Sequence, residues 1–199
     1  MEKPILFNDD MVRAIIGKRK TQTRRIIKPQ PKSCLSYVTL GTHAGKWNYA
    51  PEFATTISGW PEKYSIASVP KKERENLWTP PCHADDVLYV REAWLQLPSG
   101  KYEYRTDYPA RSFWNLARKW HPSIHMPKDA ARIWLQVDSV SCQRLQEISE
   151  KEAANDAGVD LTDDPVDRFF DAWRKCYGEA SIGENPYVWV ISFHVISKP

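Results

Sequence analysis

A chain of 199 residues with 42% hydrophobic and 27% charged residues can bury the core of one domain, which excludes general disorder. Its net charge of +3 is too small to identify a nucleic-acid-binding protein by itself. No run approaches the roughly 18 apolar residues of a membrane helix, and the residues after Met1 lack a secretory signal, so a cytoplasmic protein without membrane contact is expected.

The first part of the chain predicts a strand, a helix and a second strand. Residues 5–7 predict a short strand, after which Asn8 or Asp9 is placed to cap a helix that Gly17 ends. The apolar face of this helix is formed by Met11, Val12, Ala14, Ile15 and Ile16. Residues 23–27 predict the start of the second strand, which the following prolines stop.

Residues 30–83 have the character of an insertion, because prolines, glycines and serines are frequent there and hydrophobic periodicity is weak. A structureless stretch of this length is unusual in a compact domain, so we expect irregular structure held by aromatic side chains. The side chains available for this are Trp47, Tyr49, Phe53, Trp60, Tyr64 and Trp78. With this insertion, residues 1–199 are predicted to form a single domain.

The second half of the chain predicts further strands and two helices. Strands are predicted at residues 86–92, 101–105, 133–140 and 187–196. Ser149 begins a helix in which Glu152 completes a capping box, and Pro165 opens another. The apolar face of that second helix carries Val166, Phe169, Phe170 and Trp173. The last strand is the most apolar, which favours a position between paired neighbours in a closed or nearly closed barrel.

The charge is unevenly distributed along the chain. Six basic residues and no acidic residue lie between Lys18 and Lys28, whereas acids dominate between Glu147 and Asp171. A basic run after a helix is typical of a solvated surface, but it also suits phosphate binding.

Six segments follow one another in the order found in one known family. They are ILFN at 5–8, MVRAI at 11–15, RKTQTRR at 19–25, DVLYVREAW at 86–94, PSIHMP at 122–127 and NPYVWV at 185–190. In these segments the chain resembles ASCH-domain proteins of the type often encoded in phages and prophages. The resemblance covers most of the chain apart from residues 30–83. It implies an α+β fold with a PUA-like β-barrel, flanking helices and a long irregular insertion, and it implies RNA or a nucleoside as partner.

The family pattern Gly-x-Lys-x-x-Glu-x-Arg places Lys20 at the lysine and Arg25 at the arginine. The chain departs from it at two positions, with Lys18 where the pattern has glycine and Thr23 where it has glutamate. Small bacterial ASCH amidohydrolases that deacetylate N4-acetylcytidine also carry Lys-x-x-Thr at this point. The resemblance therefore implies Lys20 and Thr23 as a catalytic pair. Those enzymes also use a carboxylate from a helix after the middle strands, for which Asp156 is the nearest match and Glu152 the competitor.

The residues themselves allow such chemistry. Amide hydrolysis needs a nucleophile, a base and an acid for the leaving amine. Lys20 can serve as the base for the Thr23 hydroxyl if desolvation or neighbouring cations lower its pKa. Because a three-residue spacing brings side chains together on a helical turn and not on a strand, this hypothesis needs a turn between them. Arg24 or Arg25 would then bind a phosphate or an oxyanion. Neighbouring side chains on a strand point opposite ways, so one should face the barrel mouth and the other solvent, and the resemblance implies Arg25 as the inward one.

Each of these features also has a plainer interpretation. The basic run can be a solvated surface, and a threonine near a helix end is often a local cap. Asp156 can be an ordinary solvent-facing acid.

Further residues later in the chain are candidates for contacting a substrate. Arg91 and Glu92 follow a buried strand, and Glu92 would pair with a basic residue at the barrel mouth, either as a structural ion pair or as part of the site. His125 could contact a base or a phosphate, although a structural hydrogen bond is the alternative. Trp120 and His121 lie in a polar stretch and could stack on a base.

No cofactor or metal is indicated, because the four cysteines are widely spaced and form no CxxC pair. Two functions therefore stay open. One is an amidohydrolase acting on an acylated pyrimidine nucleoside, and the other is a non-catalytic RNA-binding module whose binding would weaken with salt. A ribonuclease is less well supported, because no histidine pair or carboxylate cluster suggests one, and a phage accessory role in binding a host protein also stays open.

Overall fold

The structure, a computed structural model, describes residues 1–31 and 78–199 and, between them, the backbone of two short strands at 35–37 and 47–49. Its strands are β1 (Glu2–Leu6), β2 (Gln22–Ile26), β3 (Leu35–Tyr37), β4 (Trp47–Tyr49), β5 (Val87–Arg91), β6 (Trp94–Gln96), β7 (Tyr102–Tyr104), β8 (Trp134–Arg144) and β9 (Tyr187–Ile196). Its helices are α1 (Asp9–Ile16), α2 (Phe113–Ala117), α3 (Glu150–Ala157), α4 (Pro165–Tyr177) and α5 (Ala180–Gly183).

Five strands form the central sheet in the order β1-β5-β8-β9-β2. Strands β1 and β5 are parallel, and the other neighbours are antiparallel. Two small antiparallel pairs, β3 with β4 and β6 with β7, lie outside it. The predicted α+β class is confirmed. No ladder joins β1 to β2 among the strands that the structure describes, so this sheet is open and the predicted barrel closure is not seen.

Strand β9 is apolar along most of its length because it is buried on both faces. On one face, Trp189, Ile191 and Phe193 belong to the main core, which also receives Ile5 and Phe7 from the start of the chain. On the other face, Val188 and Val190 pack under α3 and α4. The prediction that this strand lies between paired neighbours is confirmed, since β8 and β2 flank it.

Helix α1 begins where the sequence predicts. The Asn8 side chain accepts a hydrogen bond from the Met11 backbone N–H at 2.9 Å, and Val12 and Ile15 are fully buried. The prediction that Ile16 belongs to the same apolar face is wrong. Its side chain is 51% exposed, because the core lies on the Val12 and Ile15 side of the last turn.

The chain reverses at the end of α1 and not where the catalytic hypothesis needs it. Lys18 has a φ of 57°, in the left-handed region, so the turn lies before Lys20. From Gln22 the chain is an extended strand. The predicted turn between Lys20 and Thr23 is therefore wrong. Side chains alternate along β2 instead, so Thr23 and Arg25 share one face.

Helices α3 and α4 form a layer over the outer face of β2 and β9. The predicted capping box is confirmed, with the Ser149 side chain accepting from the Glu152 N–H and the Glu152 side chain accepting from the Ser149 N–H. Pro165 opens α4, whose Phe169 and Trp173 are buried against β9. Gly158 ends α3 at a φ of 72°, and a Cβ there would lie 2.5 Å from Ala14 Cβ. This close approach brings the end of α3 onto the α1–β2 turn.

Most of the predicted insertion lies outside the described residues. Of its predicted aromatic anchors, Trp78 is the one whose side chain the structure describes. Trp78 is buried, and its Nε1 donates to the Pro29 carbonyl at 2.8 Å. Strands β3 and β4, whose backbone the structure also describes, pair with each other within the insertion. In the part of the chain that the structure describes, no helix combines the length and the apolar character needed to cross a bilayer.

Candidate functional site

Lys20 lies at the centre of the candidate site, and its side chain has no contact with solvent. Its ammonium donates to Asp156 Oδ1 at 2.6 Å and to the Gln22 carbonyl at 2.8 Å. A third hydrogen bond goes to the Asp156 backbone carbonyl. An ammonium has three protons, so all of its donors are used.

Burial lowers the pKa of Lys20, because desolvation disfavours the charged form. The carboxylate of Asp156 opposes this and raises the pKa, whereas Arg25 and Arg24 lower it further. The net direction is downward from 10.5. The same cationic neighbours that the sequence suggested thus act on Lys20, but removal of water has the largest effect.

Arg24 reaches the same carboxylate from β2. Its Nη1 donates to Asp156 Oδ2 at 3.2 Å and to Gln22 Oε1 at 3.0 Å. Its Nη2 lies 3.4 Å from Glu152 Oε1, an ion-pair distance. We refer to Lys20, Arg24, Glu152 and Asp156 as the buried charge cluster, in which two cations face two acids.

The two candidate carboxylates hold different positions in this cluster. Asp156 is 5% exposed and bonds to Lys20, whereas Glu152 uses one oxygen to cap α3 and directs the other toward Arg24. Asp156 is thus not a solvent-facing acid. Its position follows from Gly158, which lets the end of α3 lie against Lys20.

Thr23 and Arg25 form a second pair on the opposite face of β2. The Thr23 hydroxyl is buried and accepts a hydrogen bond from Arg25 Nη1 at 3.1 Å. Arg25 Nη2 donates to the Leu6 carbonyl at 2.9 Å. Among the described residues, Thr23 bonds to this guanidinium and not to the Lys20 amine.

The Phe7 ring lies close to both Lys20 and Arg25. Lys20 Nζ lies 5.7 Å from its centre and Arg25 Cζ lies 5.4 Å away, both within cation–π range. Phe7 is 5% exposed, so both cations contact a ring that is shielded from solvent.

The expectation that one of the two arginines faces solvent is wrong. Arg25 is half-buried and lies on the inner face of β2, as expected, opposite Trp189. Arg24 is 2% exposed, because α3 and α4 cover the outer face of the strand where its side chain lies. Its Nε is buried without a hydrogen-bond partner within the described residues.

Two adjoining spaces open beside Arg25. A small cavity of about 20 Å³ is lined by Thr23, Arg24, Arg25 and Asp156 together with side chains of α4. It has room for about one water molecule. A larger open cleft of about 600 Å³ is lined by Phe7, Arg25, Arg105, Trp120, His121 and Tyr177, among others. Arg25 and Tyr177 line both spaces.

The cleft contains side chains that the sequence analysis did not select. Tyr177 stacks on Trp173 with ring centres 4.3 Å apart, and Arg105 is held by Asp9 through contacts of 2.6 and 3.0 Å. These residues come from distant parts of the chain, and no spacing pattern connects them. Trp120 and His121, noted for possible stacking, do lie in the cleft wall.

Three predicted substrate contacts are not brought to this site. Glu92 is 1% exposed and forms an ion pair with Arg132, at 2.8 Å from Nε and 3.1 Å from Nη2. Arg91 donates to the Ile124 carbonyl at 3.2 Å. His125 is exposed in the short 3-10 turn Ser123–His125. None of these three predicted contacts lines the cleft or the small cavity.

Within residues 1–31 and 78–199, no group of three His, Cys, Asp or Glu side chains is arranged to hold a metal ion. No family model, curated protein or solved structure matches this chain.

Proposed function

We propose that this chain is an ASCH-type, PUA-like domain that binds a nucleoside, or a base of an RNA strand, in the cleft beside Arg25. The observation that carries the proposal is the composition of the cleft: its wall combines cationic groups with aromatic rings around about 600 Å³. That volume is within the usual range of small-molecule sites, roughly 300–1,000 Å³.

The barrel part of this proposal is supported by the edges of the sheet. Strands β1 and β2 are separated by three strands in the sheet order, yet Arg25 of β2 donates directly to the Leu6 carbonyl of β1. The sheet must therefore curve enough to bring its two edges together. A curved sheet around one core, with the resemblance in the matching segments, fits a barrel-like fold.

The chemistry of the wall suits a nucleoside or nucleotide. Aromatic rings stack on bases of any sequence, and an arginine guanidinium binds phosphate or a ring carbonyl through paired N–H donors. Arg25 is only partly buried and lines the cleft, although two of its nitrogens already donate to protein atoms. A cytoplasmic location is part of the proposal, because RNA and nucleosides are present there.

Calorimetric titration with cytidine and cytidine 5′-monophosphate tests the binding proposal. We expect Arg25→Met to weaken nucleotide binding about tenfold or more, as loss of a charge-assisted hydrogen bond would. The matched control is Arg168→Met, which removes an exposed arginine from α4. Absence of binding by the unchanged protein, or equal binding by both variants, would reject the proposal.

Amidohydrolase activity is a second candidate, favoured by one arrangement. Thr23 and Asp156 line the same small cavity, which adjoins the cleft, and Asp156 is bonded to Lys20. Hydrolysis would need the Thr23 oxygen to give its proton to a base and bond to the amide carbonyl carbon, while the C–N bond breaks and the amine leaves with a proton. Water would then cleave the acyl-threonine ester, which releases the carboxylic acid and restores the hydroxyl. In the described arrangement the Lys20 amine is fully used by other acceptors, so it would have to release them and approach Thr23.

Incubation with N4-acetylcytidine and chromatography of the products tests this candidate. Thr23→Val removes the hydroxyl at nearly constant shape, whereas Thr23→Ser keeps it. Release of cytidine by the unchanged protein and by the serine variant, but not by the valine variant, supports catalysis. If nucleoside binding is measurable and no cytidine appears, the protein is a binding module.

A further inference from the structure

Helix α2 presents large apolar side chains to solvent. Phe113 and Leu116 are each 74% exposed, and Trp114 is 61% exposed. We call these three residues the α2 surface. Single exposed apolar residues are common, but adjacent ones of this size mark a site of interaction.

The chain segment that carries the α2 surface is positively charged. Between Asp107 and Asp129 the chain has no acidic residue. Arg111 and Lys119 lie on either side of α2 and are exposed. Arg118 is paired with Glu103 at 3.0 Å, so it contributes less net charge, but its guanidinium lies over the Trp114 ring at 5.6 Å. An anionic partner is therefore favoured.

The α2 surface is attached to the wall of the cleft. Trp120 Nε1 donates to both oxygens of Asn115, the backbone carbonyl at 3.0 Å and the side-chain oxygen at 3.2 Å. Asn115 lies within α2, and Trp120 lines the cleft. The Ser112 side chain caps the helix by accepting from the Asn115 N–H. The exposed rings thus stand at a fixed place beside the cleft.

From these observations we propose that the α2 surface binds the bases of a single-stranded nucleic acid, whose neighbouring nucleotide occupies the cleft. This rests on the proposed function. Bases stack on exposed aromatic rings regardless of sequence, and Arg111 and Lys119 supply the charge that phosphates need. An anionic membrane would also meet rings and cations, but it would make no use of the connection between Asn115 and the cleft.

The test measures fluorescence anisotropy of a labelled oligouridylate of about twelve nucleotides, a length that spans the site sizes typical of stacking surfaces. The double variant Phe113→Ser with Trp114→Ser removes both rings from an exposed position and leaves the core untouched. We expect the loss of each ring to weaken oligonucleotide binding by at least about fivefold relative to the unchanged protein. Binding of cytidine 5′-monophosphate should be unchanged. The matched control is Leu161→Ser, which changes a side chain that is also 61% exposed.

The possible outcomes separate this inference from the proposed function. Equal oligonucleotide binding by the double variant and the unchanged protein overturns the inference. So does a double variant that loses binding to phosphatidylserine vesicles while still binding the oligonucleotide, because the surface would then serve a membrane. If the protein fails to bind cytidine 5′-monophosphate, yet its oligonucleotide binding depends on the two rings, the cleft proposal fails and the α2 surface stands.

Discussion

At the scale of single residues, the buried charge cluster balances its charges away from water. Removing a charge from water costs several kcal/mol per ion, so such groups are retained only when they are paired and hydrogen-bonded. Asp156 is the member on which both cations depend, because Lys20 and Arg24 each bond to one of its oxygens. The two cations are not equivalent, because Arg24 also faces Glu152.

This asymmetry predicts an order of stability among variants. Asp156→Asn should lower the free energy of unfolding by about 3–5 kcal/mol, because it leaves two buried cations without their shared carboxylate. Lys20→Met should cost less, about 1–3 kcal/mol, since Arg24 still pairs with Asp156 and the main loss is hydrogen bonds to carbonyl oxygens. Urea unfolding curves at neutral pH measure both.

Glu150→Gln is the control for this pair of variants, because Glu150 is an exposed acid in the first turn of α3. It should change stability by less than about 0.5 kcal/mol. Equal losses in Asp156→Asn and Lys20→Met would show that the two charges depend on each other alone and that Arg24 contributes nothing to the balance.

Part of the site follows from the sequence. The basic run and the family resemblance select Lys20, Thr23 and Arg25, and all three lie around Phe7 or the adjoining cavity. The burial of Lys20 and Arg24 does not follow, because charged residues in a basic run are usually solvated. What covers them is α3, more than 100 residues away in the chain, and local patterns carry no information about such a contact.

At the scale of elements, the end of α3 fixes where Asp156 lies. Gly158→Ala should destabilise the fold on two grounds: a positive φ costs about 1–2 kcal/mol for a residue with a Cβ, and the new methyl group would lie 2.5 Å from Ala14 Cβ. Gly100→Ala is the control for a positive φ alone, because Gly100 has a φ of 80° with nothing within 4 Å of its Cβ position.

The difference between the two glycine variants isolates the contact from the cost of a positive φ. Urea unfolding should show a loss in Gly158→Ala that exceeds the loss in Gly100→Ala by about 1–3 kcal/mol, as for other overpacked sites. A loss of equal size in both would mean that α3 can move away from α1 at little cost.

A second element-scale prediction concerns the connection between β1 and the start of β5. Burial alone would raise the pKa of Asp86, but hydrogen bonds from Lys3 Nζ at 2.8 Å and the His83 N–H at 2.9 Å bring it below its usual 3.8. Because the folded pKa is lower than the unfolded one, the stabilisation is present above about pH 4 and is lost as the pH falls through the folded value.

Asp86→Asn should therefore be less stable than the unchanged protein at neutral pH, and the difference should shrink steadily below about pH 4. Unfolding free energies across that range measure it. Asp163→Asn, which changes an exposed acid, should show a smaller and nearly constant difference. If the difference in unfolding free energy between Asp86→Asn and the unchanged protein grew on acidification, the assigned direction of the Asp86 pKa shift would be contradicted.

Element boundaries show which signals in a sequence are local. Asn8, Ser149 with Glu152, and Pro165 each act within one turn of a helix, and the helices that they predict begin where expected. The turn that the catalytic hypothesis needs between Lys20 and Thr23 is not present, because the chain already reverses at Lys18, which adopts the left-handed conformation. The pairing of the sheet edges could not be predicted, since it depends on contacts between strands far apart in the chain.

At the scale of the whole molecule, Arg25 connects the two edges of the sheet. Its guanidinium spans from Thr23 on β2 to the Leu6 carbonyl on β1, and the Phe7 ring packs beneath it. Helix α1 closes the same gap with Val12 and Ile15 in the core. The residue proposed to bind a ligand therefore also joins the two edge strands beside the cleft.

These two roles of Arg25 can be separated by charge. Arg25→Lys keeps a cation at the cleft but cannot donate to Thr23 and Leu6 in the same forked geometry, whereas Arg25→Met loses both charge and hydrogen bonds. Hydrogen–deuterium exchange should rise in residues 2–6 and 22–26 in both variants, because edge contacts open more easily. Nucleotide affinity should fall strongly only in Arg25→Met. If both variants lose affinity in proportion to their increased exchange, Arg25 acts through the shape of the cleft and not through contact with the ligand, and the phosphate or base would have to be bound by other groups in its wall.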